Sequence, residues 1–554
     1  MEYEFINAPK NLDFRKLKTS QTRVDSVQAW KQVNRTLESL YAMGMIEAQV
    51  DSFFFQRDHY QVIIETGPVY EWAGLSSGNV DEGVLNKVGF RDKLYRNKAL
   101  SQREIRLLFK RIIEYYENNG YPFAGIRLDQ VKIENNQISA ELLLEKNAAV
   151  QFDSIIIQGD AKITKQYISN YIGIKQDDPY SEKLVKEITT RIQELAFVDE
   201  IRSPEVHFYT DKTTLTLFLK HKKANNFSGI VGVLPEEGTG DILITGDVNL
   251  SLKNAIGKGE ELELNWKKLQ TQTQDLFARL EFPFLFNTPL GADLSLSIYR
   301  RDTTFTTVNS NLGAQFILRG GDYVKVFFEN NQSNLISVEG LDVITELPEY
   351  ADVRSNSFGV GTQLSQLDYR LNPRSGLDLT GEVSFGTREI RRNPAVNQEV
   401  YDSLDLTSNR YRGKLDARVF FPFLDRHTVM VGSRAGLIIA DQLFTNELYR
   451  IGGLKSLRGS DEESIFASSY TIFTVEYRFL LERNSFFSLF FDQAWYENQA
   501  APELITDTPF GFGAGVSFET KVGIFSLNYA LGKQFDNPIE FRAGKIHFGF
   551  INYF

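Results

Sequence analysis

Three residues far apart in the chain have the types needed for an ion cluster: Arg458, Glu476 and Asp492. Arg458 sits in Arg450-Ile451-Gly452-Gly453-Leu454-Lys455-Ser456-Leu457-Arg458-Gly459-Ser460, a single arginine held between glycine turns. In the next segment Phe473, Val475, Tyr477 and Phe479 alternate as one apolar face, which puts Glu476 and Arg478 on the other. In the segment after that, Phe487, Leu489, Phe491 and Trp495 form the apolar face and Asp492 opposes them. Guanidinium–carboxylate pairs are often bidentate, so a loop folded back onto these strands would be held in one geometry. Parity assigns a face and not a height, and an Arg-Gly dipeptide alone reads as a solvated loop arginine. Covalent chemistry lacks its parts. There is no Cys, and the five His (59, 207, 221, 427, 547) are dispersed without ligand spacing. No nucleophile–base set stands out, so no catalytic residue, metal or cofactor is expected. Gly511-Phe512-Gly513-Ala514-Gly515 has the glycines of a nucleotide loop, but no helix follows, which predicts close strand packing instead.

The elements that must position these residues are strands. Lys545 to Phe554 places Ile546, Phe548, Phe550 and Phe554 on one side of an extended segment, with Lys545, His547 and Gly549 on the other. The chain then stops on an aromatic. In Tyr411–Phe423 the odd positions Leu415, Ala417, Val419, Phe421 and Phe423 are apolar, and the even positions Arg412, Lys414, Asp416 and Arg418 are charged. A Lys or Arg at the lipid midplane costs about 2–4 kcal/mol, so this sorting is what a membrane-spanning strand requires. Sixteen such candidate strands can be counted from Ser228 to Phe554. Tight turns such as Leu424–His427 and Glu482–Ser485 alternate with long connections at Gln332–Ser357, Arg388–Arg410 and Asp441–Ser469. Short turns on one rim, long loops on the other and an even strand number predict a barrel of 16 antiparallel strands over 227–554.

Composition agrees. A chain of 554 residues has no run near the roughly 20 apolar residues that a membrane helix needs. Its 43 Phe and 24 Tyr suit aromatic girdles, and a net charge of −11 without a long basic run argues against nucleic acid. No secretory signal opens the numbering, which does not place the protein in the cytosol.

Before residue 223 the pattern changes to a unit of about 75 residues that recurs, an amphipathic helix followed by strand-like runs. Trp30, Val33, Leu37, Leu40 and Tyr41 form the first stripe, ending at Met43-Gly44-Met45; Ile105, Leu108, Ile112 and Tyr115 form the second. A third copy reads strand, helix over Lys165–Ile172, helix over Ser181–Leu195, then two strands. Such α+β units leave strand edges free to capture an extended chain; the alternative is a spacer with blunted edges.

Gly452-Gly453 followed by Leu457-Arg458-Gly459 resembles the sixth-loop motif of the BamA/TamA superfamily, the POTRA-bearing outer-membrane insertases and translocators (the bacterial surface antigen family). Glu476 and Asp492 resemble the lumen carboxylates that meet that arginine, and Asp368-Tyr369-Arg370 with Asn372-Pro373-Arg374-Ser375-Gly376 resembles a turn motif of the same barrels. The upstream copies look like POTRA domains over 1–67 (possibly truncated at its start), 68–148 and 149–223, with Gly67-Pro68 and Gly159 in keeping. Three copies are closer to the TamA-like type. The chain departs from the pattern at Ser460, where an aromatic usually follows.

The resemblance implies an assembly factor that is not an enzyme. It would insert client barrel proteins into the outer membrane of a Gram-negative (diderm) bacterium, or translocate polypeptide across it, with its N-terminal domains in the periplasm. Implied partners are unfolded outer-membrane clients, outer-membrane lipid, and periplasmic or lipoprotein accessory subunits. The implied route is a lateral seam between the first strand, carrying Gly229 and Gly232, and the last, carrying Gly549 and Phe554. Glycine orders at high entropic cost and packs no side chain, so such a pairing is weak. A two-partner-secretion export pore is the alternative, and a passive porin a more distant one.

Overall fold

The computed structural model describes residues 2–9, 25–56, 59–235, 242–270, 273–318, 321–344, 348–369, 372–402, 404–454, 456–520, 523–539 and 541–553. Two compact units emerge. One comprises Met1–Ser154, Gln176–Lys186 and Val206–Thr214; the second comprises Ile155–Lys175, Glu187–Glu205 and Leu215–Phe554.

The amino-terminal region holds three small sheets. The first is built from β1 (Glu2–Ile6), α1 (Ser26–Ala42), β2 (Gln49–Gln56) and β3 (His59–Glu65), in the order β1-β3-β2. The second uses β4 (Glu71–Ser76), α2 (Glu82–Val88), α3 (Gln102–Glu117), β5 (Gly125–Glu134) and β6 (Gln137–Glu145), in the order β4-β6-β5. The third uses β7 (Ser154–Gln158), α4 (Lys165–Ile172), α5 (Glu182–Glu194), β8 (Val198–Phe208) and β9 (Thr213–His221), in the order β7-β9-β8. Helix starts follow from capping: Asp25 accepts from Gln28 N at 2.7 Å, and Ser101 and Thr164 do the same for α3 and α4. Leu108, Ile112 and Tyr116 bury the apolar stripe of α3 against Ile138, Ala140, Leu142 and Leu144 of β6.

Successive repeats are joined by the same backbone device. Gly44 and Gly120 follow their helices at φ of 89° and 91°, a left-handed conformation that favours glycine. The Gly44 carbonyl accepts from Tyr70 N at 2.8 Å, and that of Gly120 accepts from Val150 N at 2.8 Å. Leu100 N then donates to Tyr70 O at 2.8 Å, as Tyr180 N donates to Val150 O at 3.0 Å.

The remaining strands form one antiparallel barrel. They are β10 (Asn226–Pro235), β11 (Ile242–Lys253), β12 (Glu261–Gln270), β13 (Thr273–Phe282), β14 (Leu290–Arg301), β15 (Phe305–Ile317), β16 (Tyr323–Leu335) and β17 (Val353–Leu367). Next come β18 (Gly376–Ile390), β19 (Thr407–Leu424) and β20 (His427–Ile439). A short hairpin, β21 (Tyr449–Ile451) with β22 (Ile465–Ala467), interrupts the wall as a separate two-stranded sheet. The wall resumes with β23 (Ser469–Glu482), β24 (Ser485–Asn498), β25 (Ile505–Asp507), β26 (Phe510–Thr520), β27 (Gly523–Lys533) and β28 (Lys545–Tyr553). β25 is a three-residue extension beside β24, so each of the sixteen expected strands has its counterpart. Leu415, Phe421, Phe473, Phe487, Leu489 and Trp495 are exposed on the outer face, while Glu476 and Asp492 are buried on the inner one.

Two of the long connections, 336–352 and 391–406, are shorter than the sequence predicted, whereas the third, 440–468, keeps its expected length. β16 to β19 run on into segments whose polar inward positions, among them Ser333, Ser355, Arg388 and Arg410, are buried rather than wet. The loops bury them from above. Ala351, Val353, Ile390, Val396, Val400, Tyr401 and Phe444 form an apolar cluster there. At the opposite rim α4 sits on two turns, with Thr164 N donating to Gly257 O at 2.8 Å and the Tyr167 ring edge-on to Phe284 at 5.5 Å.

Candidate functional site: a loop arginine anchored in the barrel lumen

The connection between β20 and β23 does not stay outside the wall. Its hairpin β21–β22 is packed by Ile451, Leu457, Ile465 and Ala467 against Ile472, Ala494 and Tyr496 of the wall, with Leu457 fully buried. That packing delivers the next residue, Arg458, to the inner face of β23 and β24. Arg458 Nε donates to Asp492 Oδ2 at 2.7 Å and Nη2 to Oδ1 at 2.8 Å, a two-pronged contact. Its Nη1 donates to Glu476 Oε2 at 2.5 Å and its backbone N to Asp492 Oδ2 at 3.2 Å. The guanidinium lies 3.6 Å from the centre of the Phe490 ring.

The carboxylates have further donors. Arg478 Nε reaches Glu476 Oε1 at 2.8 Å, and Thr474 Oγ1 reaches Asp492 Oδ1 at 2.8 Å. Two guanidiniums face two carboxylates, so the cluster is neutral as a whole. Side-chain exposure is 11% for Arg458, 8% for Glu476 and 0% for Asp492, so removing one partner strands the others in a poorly solvated site.

The glycines of the motif fit this approach. Gly459 has φ 94°, and a Cβ there would lie 2.6 Å from Leu531 O. Gly511 receives the loop from the other side: a Cβ on it would lie 1.7 Å from Arg458 O. Sequence reasoning read the Gly511–Gly515 run as close packing of strand on strand. At Gly511 the close neighbour is the loop backbone, whereas Gly513 is crowded by Tyr529 O and the Phe490 ring. Gly452 and Gly453 also have positive φ, 118° and 87°, at the start of the loop tip.

A second buried ion pair carries no sequence signal. Arg388 donates Nε and Nη2 to Glu447 Oε1 and Oε2 at 2.7 and 2.6 Å, and also bonds Asp441 O and Gln442 O. Both members are nearly sealed, at 1% and 2% exposure. At the opposite rim, Asn372 of the turn motif is buried, while Asp368 Oδ1 accepts from Arg374 N and Ser375 N.

Gly229 and Gly232 lie in β10 and Gly549 in β28, whereas Phe554 lies outside the described residues. Among the described residues β10 and β28 pair at two positions only, Asn226↔Tyr553 and Phe227↔Asn552, and none of the three glycines is among them. β10 pairs with β11 from Asn226↔Ser251 to Pro235↔Ile242. β28 pairs with β27 from Ile551↔Ile524 to Lys545↔Ala530.

A family model described as the Omp85 superfamily domain matches residues 254–550. The chain belongs to the Omp85 superfamily. A second model, the surface antigen variable number repeat of the POTRA type, matches 150–222. Two solved structures share the fold of this Omp85 chain. CdiB from Acinetobacter baumannii is 15% identical, with 95% of this chain and 97% of that one covered and a TM-score of 0.54. CdiB from Escherichia coli is 13% identical, with 97% and 100% covered and a TM-score of 0.54. BamA from Haemophilus ducreyi lacking POTRA domains 1–3 aligns at 14% identity over 86% and 99%, with a TM-score of 0.44. No curated protein matches. Membership indicates the outer membrane of a Gram-negative bacterium and protein substrates handled there.

Proposed function

We propose that this Omp85 chain assembles client β-barrel proteins in the outer membrane, or passes polypeptide across it, by parting β10 from β28. The observation that carries the reading is the two-position pairing of those strands among the described residues, beside longer ladders on their other edges. Unpaired backbone groups cannot find water within a bilayer, so an edge left open is a template for another strand. The three repeats, read as POTRA domains over 1–67, 68–148 and 149–223, would lie in the periplasm and present further sheet edges to unfolded clients. The loops at 336–352, 391–406 and 440–468 would face the cell exterior. Arg458, Glu476 and Asp492 would hold the inserted loop while the seam works, and no residue performs covalent chemistry. A passive pore fits poorly, because loop packing fills the lumen around Leu457 and Phe444.

The chain has no native Cys, which suits a crosslinking test. Cysteines at positions 227 and 552 should form a disulfide that leaves the barrel folded, stops client assembly and is reversed by reductant. A complete lock with client assembly at the wild-type rate would rule out the seam. Labelling of a Cys at the exposed Asp211 in intact cells would overturn the proposed orientation.

A further inference from the structure

On the inner face of β19, Arg410, Arg412 and Lys414 occupy alternate positions and line a cavity of about 620 Å³ beneath the inserted loop. Three cations here meet one carboxylate that is not taken by others. Glu329 is bonded by Arg412 and, at 2.9 Å, by Asn309 Nδ2. Every other carboxylate on the cavity wall is already paired, Asp293 and Glu382 sharing Lys325. Asp293 is held by Arg279 at 2.9 Å and by Lys325 at 3.1 Å. Glu382 is held by Lys325 at 2.7 Å, Glu447 by Arg388 at 2.6 Å and Glu463 by Arg450 at 2.7 Å.

Among the described residues, Arg410 and Lys414 therefore have no carboxylate within ion-pair distance. Arg410 is 4% exposed; its Nη1 donates to Ser355 Oγ at 2.6 Å, and its Nε is buried with no acceptor. Lys414 opens onto the cavity, with its ammonium 5.4 Å from the centre of the Tyr449 ring. Tyr449 is shared: its hydroxyl accepts from Arg412 Nε at 3.1 Å and donates to Gly413 O at 2.9 Å. An aromatic face and a hydroxyl do not neutralise two cations, and a buried guanidinium nitrogen without an acceptor is rare enough to need an explanation.

We propose that this cavity binds a small oxyanion of the phosphate class, free or as the phosphate of a headgroup. The anion would sit against Lys414 and Arg412, with the charge of Arg410 behind them. Lys414 supplies a mobile ammonium with three donors, and Arg412 supplies Nη2, the nitrogen not engaged by Tyr449 or Glu329, a pairing that suits an anion with several acceptors. Arg410 is buried behind them, so its attraction is less screened than at a surface.

The test uses the full chain folded in detergent, with inorganic phosphate as probe and chloride at matched ionic strength as control. In the wild-type protein phosphate should slow acylation of Lys414 by an amine-reactive reagent, read by peptide mass spectrometry, and chloride should not. Phosphate should also raise the melting temperature saturably. Lys414→Gln should weaken the apparent affinity by about tenfold, the loss of one charge-assisted contact; Lys414→Arg should retain binding. Folding of each variant is checked by its heat-modifiable migration, and the acylation measurement needs no variant. Protection by a short-chain phosphatidylglycerol without protection by inorganic phosphate would assign the anion to a lipid headgroup. Equal acylation of Lys414 in phosphate, phosphatidylglycerol and chloride would overturn the proposal, as would an undiminished phosphate response in folded Lys414→Gln.

Discussion

Asn372 Oδ1 accepts a hydrogen bond from Arg478 Nη1 at 3.2 Å, while the same arginine's Nε bonds Glu476 at 2.8 Å. Since Glu476 also holds Arg458, a continuous polar chain runs from the inserted loop to the turn between β17 and β18 at the opposite rim. Asn372 closes it by donating Nδ2 to Arg483 O at 3.0 Å. Both rims are thereby tied to one buried cluster.

Asn372→Ala should therefore cost more than a turn substitution usually does. It leaves an Arg478 nitrogen and a carbonyl without their partner, a loss of about 1–3 kcal/mol. Thermal melts of the folded barrel should show the drop, and a double-mutant cycle with Arg478→Ala should show coupling. Additive losses would mean that the contact does no more than fill space.

Arg388→Ala should loosen the loop packing without opening the wall. Deleting one member of a sealed ion pair costs about 3–5 kcal/mol, and here two carbonyls lose donors as well. Limited proteolysis should find new cuts within 391–406 and 440–468. Glu447→Gln keeps one acceptor and should give a milder version of the same pattern. Unchanged protease resistance in Arg388→Ala would show that the apolar cluster around Phe444 holds the loops alone.

The barrel strands were legible because a bilayer enforces period-two sorting on each of them, and that parity also put Glu476 and Asp492 inward. The repeats were legible through their longer helices, while the short helix α2 (Glu82–Val88) and some of the strands were missed. β1 is five residues of mixed type at a sheet edge, and β4 pairs with β6 through a register shift beside Gly74. Neither carries a run long enough to show a period. The Arg388–Glu447 pair joins residues 59 apart in the chain through folded loops, and nothing local marks it. Gly511 was visible as a glycine, but only the fold shows that its missing Cβ is space for Arg458 O.

The third repeat offers a pH test. The Tyr180 hydroxyl donates to Glu182 and is the main cause holding that carboxyl below its ordinary range. A depressed folded pKa stabilises above the unfolded pKa, and that contribution disappears as pH falls through the folded value. Tyr180→Phe should cost about 0.5–1 kcal/mol at neutral pH, since Glu182 is only partly buried, and the difference from wild type should vanish in acid. Melting curves from pH 7 down to pH 3 check the sign. A gap that widens in acid would contradict it.

Arg458→Ala should release the inserted loop. The loss is about 3–5 kcal/mol for a site this buried, read as protease sensitivity between Asp441 and Ser469 together with impaired client assembly. Arg458→Lys should rescue only in part, because an ammonium cannot make the two-pronged contact with Asp492. Glu476→Gln and Asp492→Asn should each reproduce part of the defect and add little to Arg458→Ala, since the residues act as one cluster. Gly511→Ala reaches the same loop by sterics alone: its Cβ would overlap Arg458 O at 1.7 Å, so the loop must lift although every charged partner is intact. Overpacking of this kind costs about 1–3 kcal/mol. If Gly511→Ala leaves the loop protected while Arg458→Ala does not, the docking geometry is wrong even though the ion cluster is real.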